Sequence, residues 1–379
     1  MTNKLISLRH KLHQQPELSG SESSTSQIVM DELKKFEPDS IIGNLGGYGV
    51  LARFDPKNED VRQRILIRAE LDAIAVNEET DVDYRSETAD VMHGCGHDGH
   101  MAILIGVAEK LKQNRPGFTE ITLLFQPSEE TGEGAGKVLE DNRFKALKID
   151  HGYALHNLPG FDEGAIVIKD GVFACASAGV EITFKGRSSH AAYPEQGVNP
   201  AAILTNFLSE IHDRFDKIRD IEKSTKAVTT YIHLGERAFG INPGVAKAGF
   251  TIRSADDHVI TEEIEWIKKK INDLRGSFPG NIGINEVEPF ASTVNSKTGN
   301  QVIQRAVTKL GMDIKSLHEP FPWSEDFGSF RTKFPITLFG IGAGLDHPPL
   351  HSEKYDFNDR LITKGIELYS TLIELIDED

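Results

Sequence analysis

The chain has 379 residues, 39% of them hydrophobic and 26% charged, an ordinary balance for a globular protein and a length that favours two domains. Its 42 Lys and Arg against 58 Asp and Glu leave a formal charge of −16, a surface that repels phosphate backbones and anionic lipid and so argues against nucleic-acid and membrane partners. No run of about 18 apolar residues could span a bilayer, the N-terminal segment shows no signal-like apolar stretch, and two cysteines alone, Cys95 and Cys175, fit a reducing, cytoplasmic setting.

In chain order, the spacing predicts a helix over 22–36 after Ser21 and a short apolar strand at Ile65–Ala69. Met92-His93-Gly94-Cys95-Gly96-His97-Asp98-Gly99-His100 then precedes a nearly all-apolar helix at Met101–Leu111. Thiolate and imidazole nitrogen suit zinc and similar transition ions, whereas magnesium and calcium prefer oxygen. The flanking glycines let the backbone bend so that both side chains can meet one ion. Cys-x-His is too short to establish a site by itself, and a Cys95–Cys175 bridge is the competing reading, disfavoured by the expected compartment.

A strand at Ile121–Phe125 leads into Gln126-Pro127-Ser128-Glu129-Glu130-Thr131-Gly132. Carboxylates at the carboxyl end of a strand lie where α/β sheets place their active sites. Consecutive residues point in different directions, so one glutamate can ligate metal while the other faces substrate; an acidic, solvated loop capping a helix is the alternative. Tyr153-Ala154-Leu155-His156-Asn157 ends an apolar stretch with a histidine that suits either the core or a metal.

The middle of the chain changes style. Strands at Val180–Lys185, Ala227–Leu234, Ala246–Arg253 and about 281–289, with helices at Ala201–Phe215 and about 261–274, follow the split βαβ, ferredoxin-like order. This predicts a smaller α+β domain at 174–289 inserted into a domain formed by 1–173 and 290–379, with both crossings acting as hinges. A buried strand at Ile336–Ile341 and a terminal helix carrying Ile362, Ile366, Tyr369, Ile373 and Ile376 on one face resume the first style. Between them, the loop Gly342–Ser352 holds His347 and His351, either of which could be a ligand. The fold class is therefore α/β, a mainly parallel sheet flanked by helices plus the inserted domain. Glu109, Lys110, Lys112 and the Lys268-Lys269-Lys270 run read as solvated helix faces, and Trp266 and Trp323 as packing residues. Glu325 and Asp326 receive no role.

Pooled, Cys95, His97, Glu130, His156 and His351 exceed what one tetrahedral zinc needs, which makes two ions sharing a bridging ligand plausible. The chain at this point resembles the amidohydrolase branch of the dinuclear-metal aminoacylase and carboxypeptidase family, which holds hippurate hydrolases, auxin-conjugate hydrolases and N-acetyldiaminopimelate deacetylases. The resemblance runs almost end to end, through His13-Gln14-Gln15-Pro16-Glu17-Leu18, Arg68-Ala69-Glu70-Leu71-Asp72-Ala73, His93 to His100, Phe125 to Glu130, Leu155-His156-Asn157, Gly186 to Pro194, Asn242-Pro243-Gly244, Ile252-Arg253 and Leu350-His351-Ser352.

The resemblance implies that Cys95, His97, Glu130, His156 and His351 are the metal ligands and that Glu129 is the general base. It implies two zinc, manganese or cobalt ions in the larger domain, with the smaller domain as lid and dimer contact in a homodimer. It places His190 as the group that stabilises the tetrahedral oxyanion, and Asn242 and Arg253 on the substrate carboxylate. Asp72 is expected to orient a ligand histidine, and Cys95, with lone pairs to share, to bridge the ions. The implied reaction is hydrolysis of the amide bond of a small N-acyl amino acid or short peptide. A dipeptidase or exopeptidase is the alternative, and a non-catalytic acyl-amino-acid-binding protein a more remote one. The family's usual Asp-Met-Asp-Ala-Leu-Pro is here Glu70-Leu71-Asp72-Ala73-Ile74-Ala75, and its Pro-Ala-Glu-Glu is Pro127-Ser128-Glu129-Glu130, departures that bear on substrate preference.

Overall fold

The computed structural model describes residues 2–221 and 224–379. The chain divides into two units, Met1–Phe173 with Thr293–Pro320 and Glu325–Asp379, and Ala174–Ser292 with Phe321–Ser324. No described helix is long and apolar enough to cross a membrane.

The larger unit is built on an eight-stranded sheet. In spatial order its strands are Ser40–Leu45, Gly49–Phe54, Thr119–Gln126, Gln63–Glu70, His151–Pro159, Ile336–Gly344, Ile166–Ile168 and Ile314–Ser316. The four central ones, from Thr119–Gln126 to Ile336–Gly344, are mutually parallel. The three antiparallel pairings lie outside this block, two on one side and one on the other. Parallel central strands are covered on both faces, which is why the adjacent residues Ile65 and Leu66, Leu123 and Leu124, and Leu338 and Phe339 are all buried.

Helix His97–Gln113 buries Met101, Ile103, Leu104, Ile105, Val107 and Leu111, so it is apolar nearly all round. It packs against the terminal helix Arg360–Glu378, whose stripe of Ile362, Ile366, Tyr369, Ile373 and Ile376 is buried. The two helices come close because each sets a glycine against an isoleucine of the other. A Cβ on Gly106 would lie 2.2 Å from Ile366 Cδ1, and one on Gly365 would lie 2.8 Å from Ile103 Cδ1.

The smaller unit has a four-stranded antiparallel sheet in the order Lys226–Leu234, Val245–Ser254, Ala176–Lys185 and Asn281–Phe290. Ala178, Val180, Ile182 and Phe184 alternate into its core with Phe250 and Ile252. Helix Ala201–Ile221 adds Leu204, Phe207, Ile211 and Phe215, and helix Asp257–Arg275 adds Ile264, Ile267 and Ile271. Trp266 packs against the same cluster.

Three differences from the sequence reading have local causes. The helix expected from Met101 begins at His97, because Gly96 takes a left-handed backbone (φ 88°) that turns the chain straight into it. Ser40–Leu45 is an edge strand, half-buried along most of its length, so it carries no alternating pattern to detect. His151–Pro159 is a buried nine-residue strand whose polar His151, His156 and Asn157 interrupt the apolar run.

Candidate metal and hydrolytic centre

The parallel strands end at the same edge of the sheet, and Glu70 and Gln126 are in register there. Asp72 follows one strand, Glu129 and Glu130 the next, and the loop to His351 follows a third. His156 lies within a fourth, opposite Gly340. Carboxyl ends of adjacent parallel strands are where such sheets bind ligands.

Gly96 sets the first two donors. A Cβ there would lie 2.5 Å from Asn157 Nδ2 and from the Tyr355 hydroxyl, so any other residue would force the turn apart. His97 Nδ1 donates to the Asp72 carbonyl at 2.9 Å and lies 3.5 Å from Asp72 Oδ1. Its Nε2 is buried with no hydrogen-bond partner and faces Glu129 Oε2 at 4.0 Å and Glu130 Oε1 at 3.9 Å. Asp72 is held by the Ser19 hydroxyl (2.7 Å) and the Glu130 N–H (2.9 Å). His156 Nδ1 donates to the Asn157 carbonyl at 2.8 Å, and its Nε2 is 3.4 Å from Cys95 Sγ. Glu130 Oε2 lies 3.6 Å from His351 Nε2, while Glu130 Oε1 is buried without a partner.

Among the described residues, donor atoms within 4.8 Å of one another form five groups: Glu70 with His97 and His100, His97 with Glu129 and Glu130, and Glu129 with Glu325 and Asp326 lack the thiol, and two sets hold it, Cys95 with His97 and His156, and Cys95 with Glu130 and His351. Cys95 belongs to both. The other cysteine, Cys175, is free and buried in the smaller unit. His347 joins neither set: its Nδ1 donates to the Pro348 carbonyl at 3.0 Å and its ring packs on Tyr355. Of the two histidines in that loop, His351 is the one beside Cys95, brought there by its backbone (φ 63°) and its N–H···O bond to Gly94 (2.8 Å).

The centre holds more negative charge than its cations balance. Burial pushes the Cys95 thiol well up, and Glu130 and Glu129 add to the effect. Burial lifts Glu130 to about 7 against the pull of His97, and lifts Asp326 to about 7 against the pull of Arg68. Glu129 is raised well above the usual carboxylate range by burial and by Glu325, Glu130 and Asp326. Without bound ions the protein's own charges therefore favour protonated Glu129, and added positive charge shifts it toward the carboxylate. Thiol, imidazole and carboxylate donors, with orphaned His97 Nε2 and Glu130 Oε1 among them, fit divalent transition ions.

Several participants had no assigned role in the sequence. Arg68, buried at its strand's end, grips Glu70, donates to Glu325 and Asp326 at 2.8 Å each, and bonds Gln126 at 3.0 Å. The Asp326 N–H reaches Glu129 Oε1 at 3.4 Å. Two charged residues inside the buried stretch Ile65–Glu70 were the available signal.

On the smaller unit, His190 is exposed on a two-residue ribbon paired with Ile241–Asn242. Its Nδ1 accepts from the Ala192 N–H (3.0 Å), leaving Nε2–H as donor. Asn242 is braced by Asn199 and Ser189, and half-buried Arg253 donates to the Ser324 hydroxyl at 3.3 Å.

Behind the donors, Asp98 is buried between Arg9 (3.4 Å) and His13 Nδ1 (2.8 Å), and His13 Nε2 faces Glu78 at 3.3 Å. Burial opposes the imidazolium, but the bonds to Asp98 and Glu78 outweigh it and raise His13 from 6.5 to about 9. Because the folded value is the higher one, the stabilisation is complete below pH 6.5 and is lost as pH rises through 9. Unfolding free energies of the metal-free protein should fall across this window relative to His13→Gln, by about 3 kcal/mol at most. Denaturant titrations showing parallel pH profiles for the two proteins would refute this.

The model of the peptidase family M20/M25/M40 matches residues 66–375. An N-acetyldiaminopimelate deacetylase of Oenococcus oeni is 28% identical over 96% of both chains. A hippurate hydrolase of Campylobacter jejuni is 29% identical over 96% of this chain and 94% of its own. Among solved structures, a protein of Bacillus subtilis described as a dinuclear metal binding peptidase superposes with a TM-score of 0.79 at 23% identity, covering 100% of this chain and 98% of its own, and so shares the fold. With the family model spanning both the donor-bearing loops and the inserted unit, the chain belongs to the peptidase family M20/M25/M40.

Proposed function

We propose that the protein is a metal-dependent amidohydrolase that cleaves the amide bond of N-acyl amino acids. The observation that carries this reading is the pair of donor sets sharing Cys95, with a buried carboxylate, Glu129, that belongs to neither of them and lies 4.0 Å from His97 Nε2. Cys95, His97, Glu130, His156 and His351 hold two divalent ions of the zinc, manganese or cobalt class. When bound, such ions lower the pKa of water and polarise the amide carbonyl.

The chain's own residues do the rest. Glu129 takes a proton from the attacking water at a carboxylate oxygen and returns it to the departing amine. The Asp326 N–H steadies that carboxylate, and Asp72 fixes the His97 ring. His190, with Nε2–H outward, donates to the oxyanion as it forms. Arg253 and Asn242 hold the substrate carboxylate, a role that suits the guanidinium fork.

The smaller unit acts as lid and as the contact of a homodimer. Its strand Lys226–Leu234 is a sheet edge exposing Val228, Tyr231, Ile232 and Leu234, which supports that reading. Two buried free thiols suit a cytoplasmic protein.

Metal analysis of the purified chain, followed by N-acetyl, N-benzoyl and dipeptide substrates side by side, tests the assignment. The expected result is two ions per chain and metal-dependent amine release from an acyl amino acid. Release from free dipeptides alone would favour the exopeptidase alternative, and no release from any member would leave a binding protein.

A further inference from the structure

His100 lies one turn beyond His97, is 2% exposed, and has no part in the mechanism above. Its Nδ1 is 2.7 Å from Glu70 Oε2. Its Nε2 is 3.2 Å from both the backbone nitrogen and Nδ2 of Asn157. Two N–H donors converge on Nε2, so this nitrogen accepts, and the ring proton sits on Nδ1 and is donated to Glu70. Arg68, itself 1% exposed, holds Glu70 in place from behind.

Asn157 is where this chain of contacts meets the donors. Its Nδ2 donates to the Cys95 carbonyl at 2.7 Å, its Oδ1 accepts from the Tyr355 hydroxyl at 2.5 Å, and its own carbonyl takes the His156 Nδ1 proton at 2.8 Å. One amide side chain thus touches the turn that carries Cys95, and its backbone sets the ring of His156. The two hydrogens of Nδ2 are both used, one on Cys95 and one on His100. Without an acceptor at His100 Nε2, one of these hydrogens and the Asn157 N–H would be buried and unpaired, which makes that arrangement costly.

We propose that His100 is a positioning residue: held in its Nδ1–H form by Glu70, it fixes Asn157, and Asn157 fixes the Cys95 turn and the His156 ring. This rests on Cys95 and His156 being metal ligands. Contacts of this kind, one step removed from the ion, typically govern ten- to hundred-fold in affinity.

Two substitutions separate the halves of the link. His100→Asn keeps an N–H near Glu70 but offers no acceptor at the Nε2 position, whereas His100→Gln reaches that position with an acceptor. Zn²⁺ affinity of the full chain is measured by competition with a chromophoric chelator, and Co²⁺ loading by its thiolate charge-transfer band, with metal-free melting curves as the folding control. His100→Asn should bind ten- to hundred-fold more weakly and melt cooperatively but below the wild type because of the unpaired donors, whereas His100→Gln should retain most of the affinity. Wild-type affinity in His100→Asn, or equal loss in both variants, overturns the proposal. Should His100→Asn not fold, Asn157→Ala cuts the contact to Cys95, and unchanged affinity there overturns it equally. A wild-type chain that binds no Zn²⁺ removes the metal-centre reading and this proposal together, whereas tight binding by wild type and variants alike removes the proposal alone.

Discussion

Glu129→Gln should lose turnover by about ten-thousand-fold, the upper end of what a positioned acid–base group supplies, because the same carboxylate acts in both proton transfers. That corresponds to about 5 kcal/mol of barrier. The amide keeps the size of the side chain and an oxygen to accept from the Asp326 N–H, so the surrounding turn has no reason to move. It removes one of several buried carboxylates that repel one another, Glu129, Glu130, Glu325 and Asp326, so the metal-free variant should melt no lower than the wild type. Both ions should remain bound, since Glu129 is in neither donor set that contains Cys95. Steady-state rates at saturating metal, with metal content measured on the same sample, decide the matter. Near-wild-type kcat would sink the assignment of Glu129, and loss of metal would move it to the ligands.

Cys95→Ser should remove both ions. A serine hydroxyl is a far weaker ligand than a thiolate, and Cys95 is the one donor common to the two sets. His351→Ala breaks only the set with Glu130, so it should leave the Cys95, His97 and His156 set loaded. The contrast, near-zero metal in Cys95→Ser against about one ion in His351→Ala, is what a shared thiolate predicts. Burial and the neighbouring carboxylates raise the Cys95 thiol, so a proton must leave as the ion enters, and wild-type affinity should fall as the medium becomes more acidic. Metal content by atomic absorption and activity after dialysis give the readout. A Cys95→Ser chain holding two ions at full occupancy would show that Cys95 does not bridge.

Much of the centre was legible before any fold was known. Donor types are chemical facts of single residues, and Cys95 and His97 sit close enough in sequence that glycines on either side suffice to aim them. Glu129 and Glu130 were visible because a strand pattern ends just before them. The periodicities of Met101–Leu111 and of Ile362 to Ile376 were also readable, since a helix repeats every three to four residues whatever surrounds it. The edge strand Ser40–Leu45 and the polar-interrupted strand His151–Pro159 were not, because their burial is decided by neighbours rather than by a local period.

The sequence by itself determined the donor inventory, the amphipathic stripes and the change of style in the middle of the chain. The tertiary structure alone decided that Arg68 meets Glu325 and Asp326 across 257 and 258 residues, that His351 rather than His347 faces Glu130, and that His100 accepts from Asn157. It also raised Glu129 in the metal-free chain, by burying it and surrounding it with carboxylates. Hydrogen bonds and charge–charge interactions depend on distance in space and on exclusion of water. Both are set by which strand lies beside which, so no local pattern contains them.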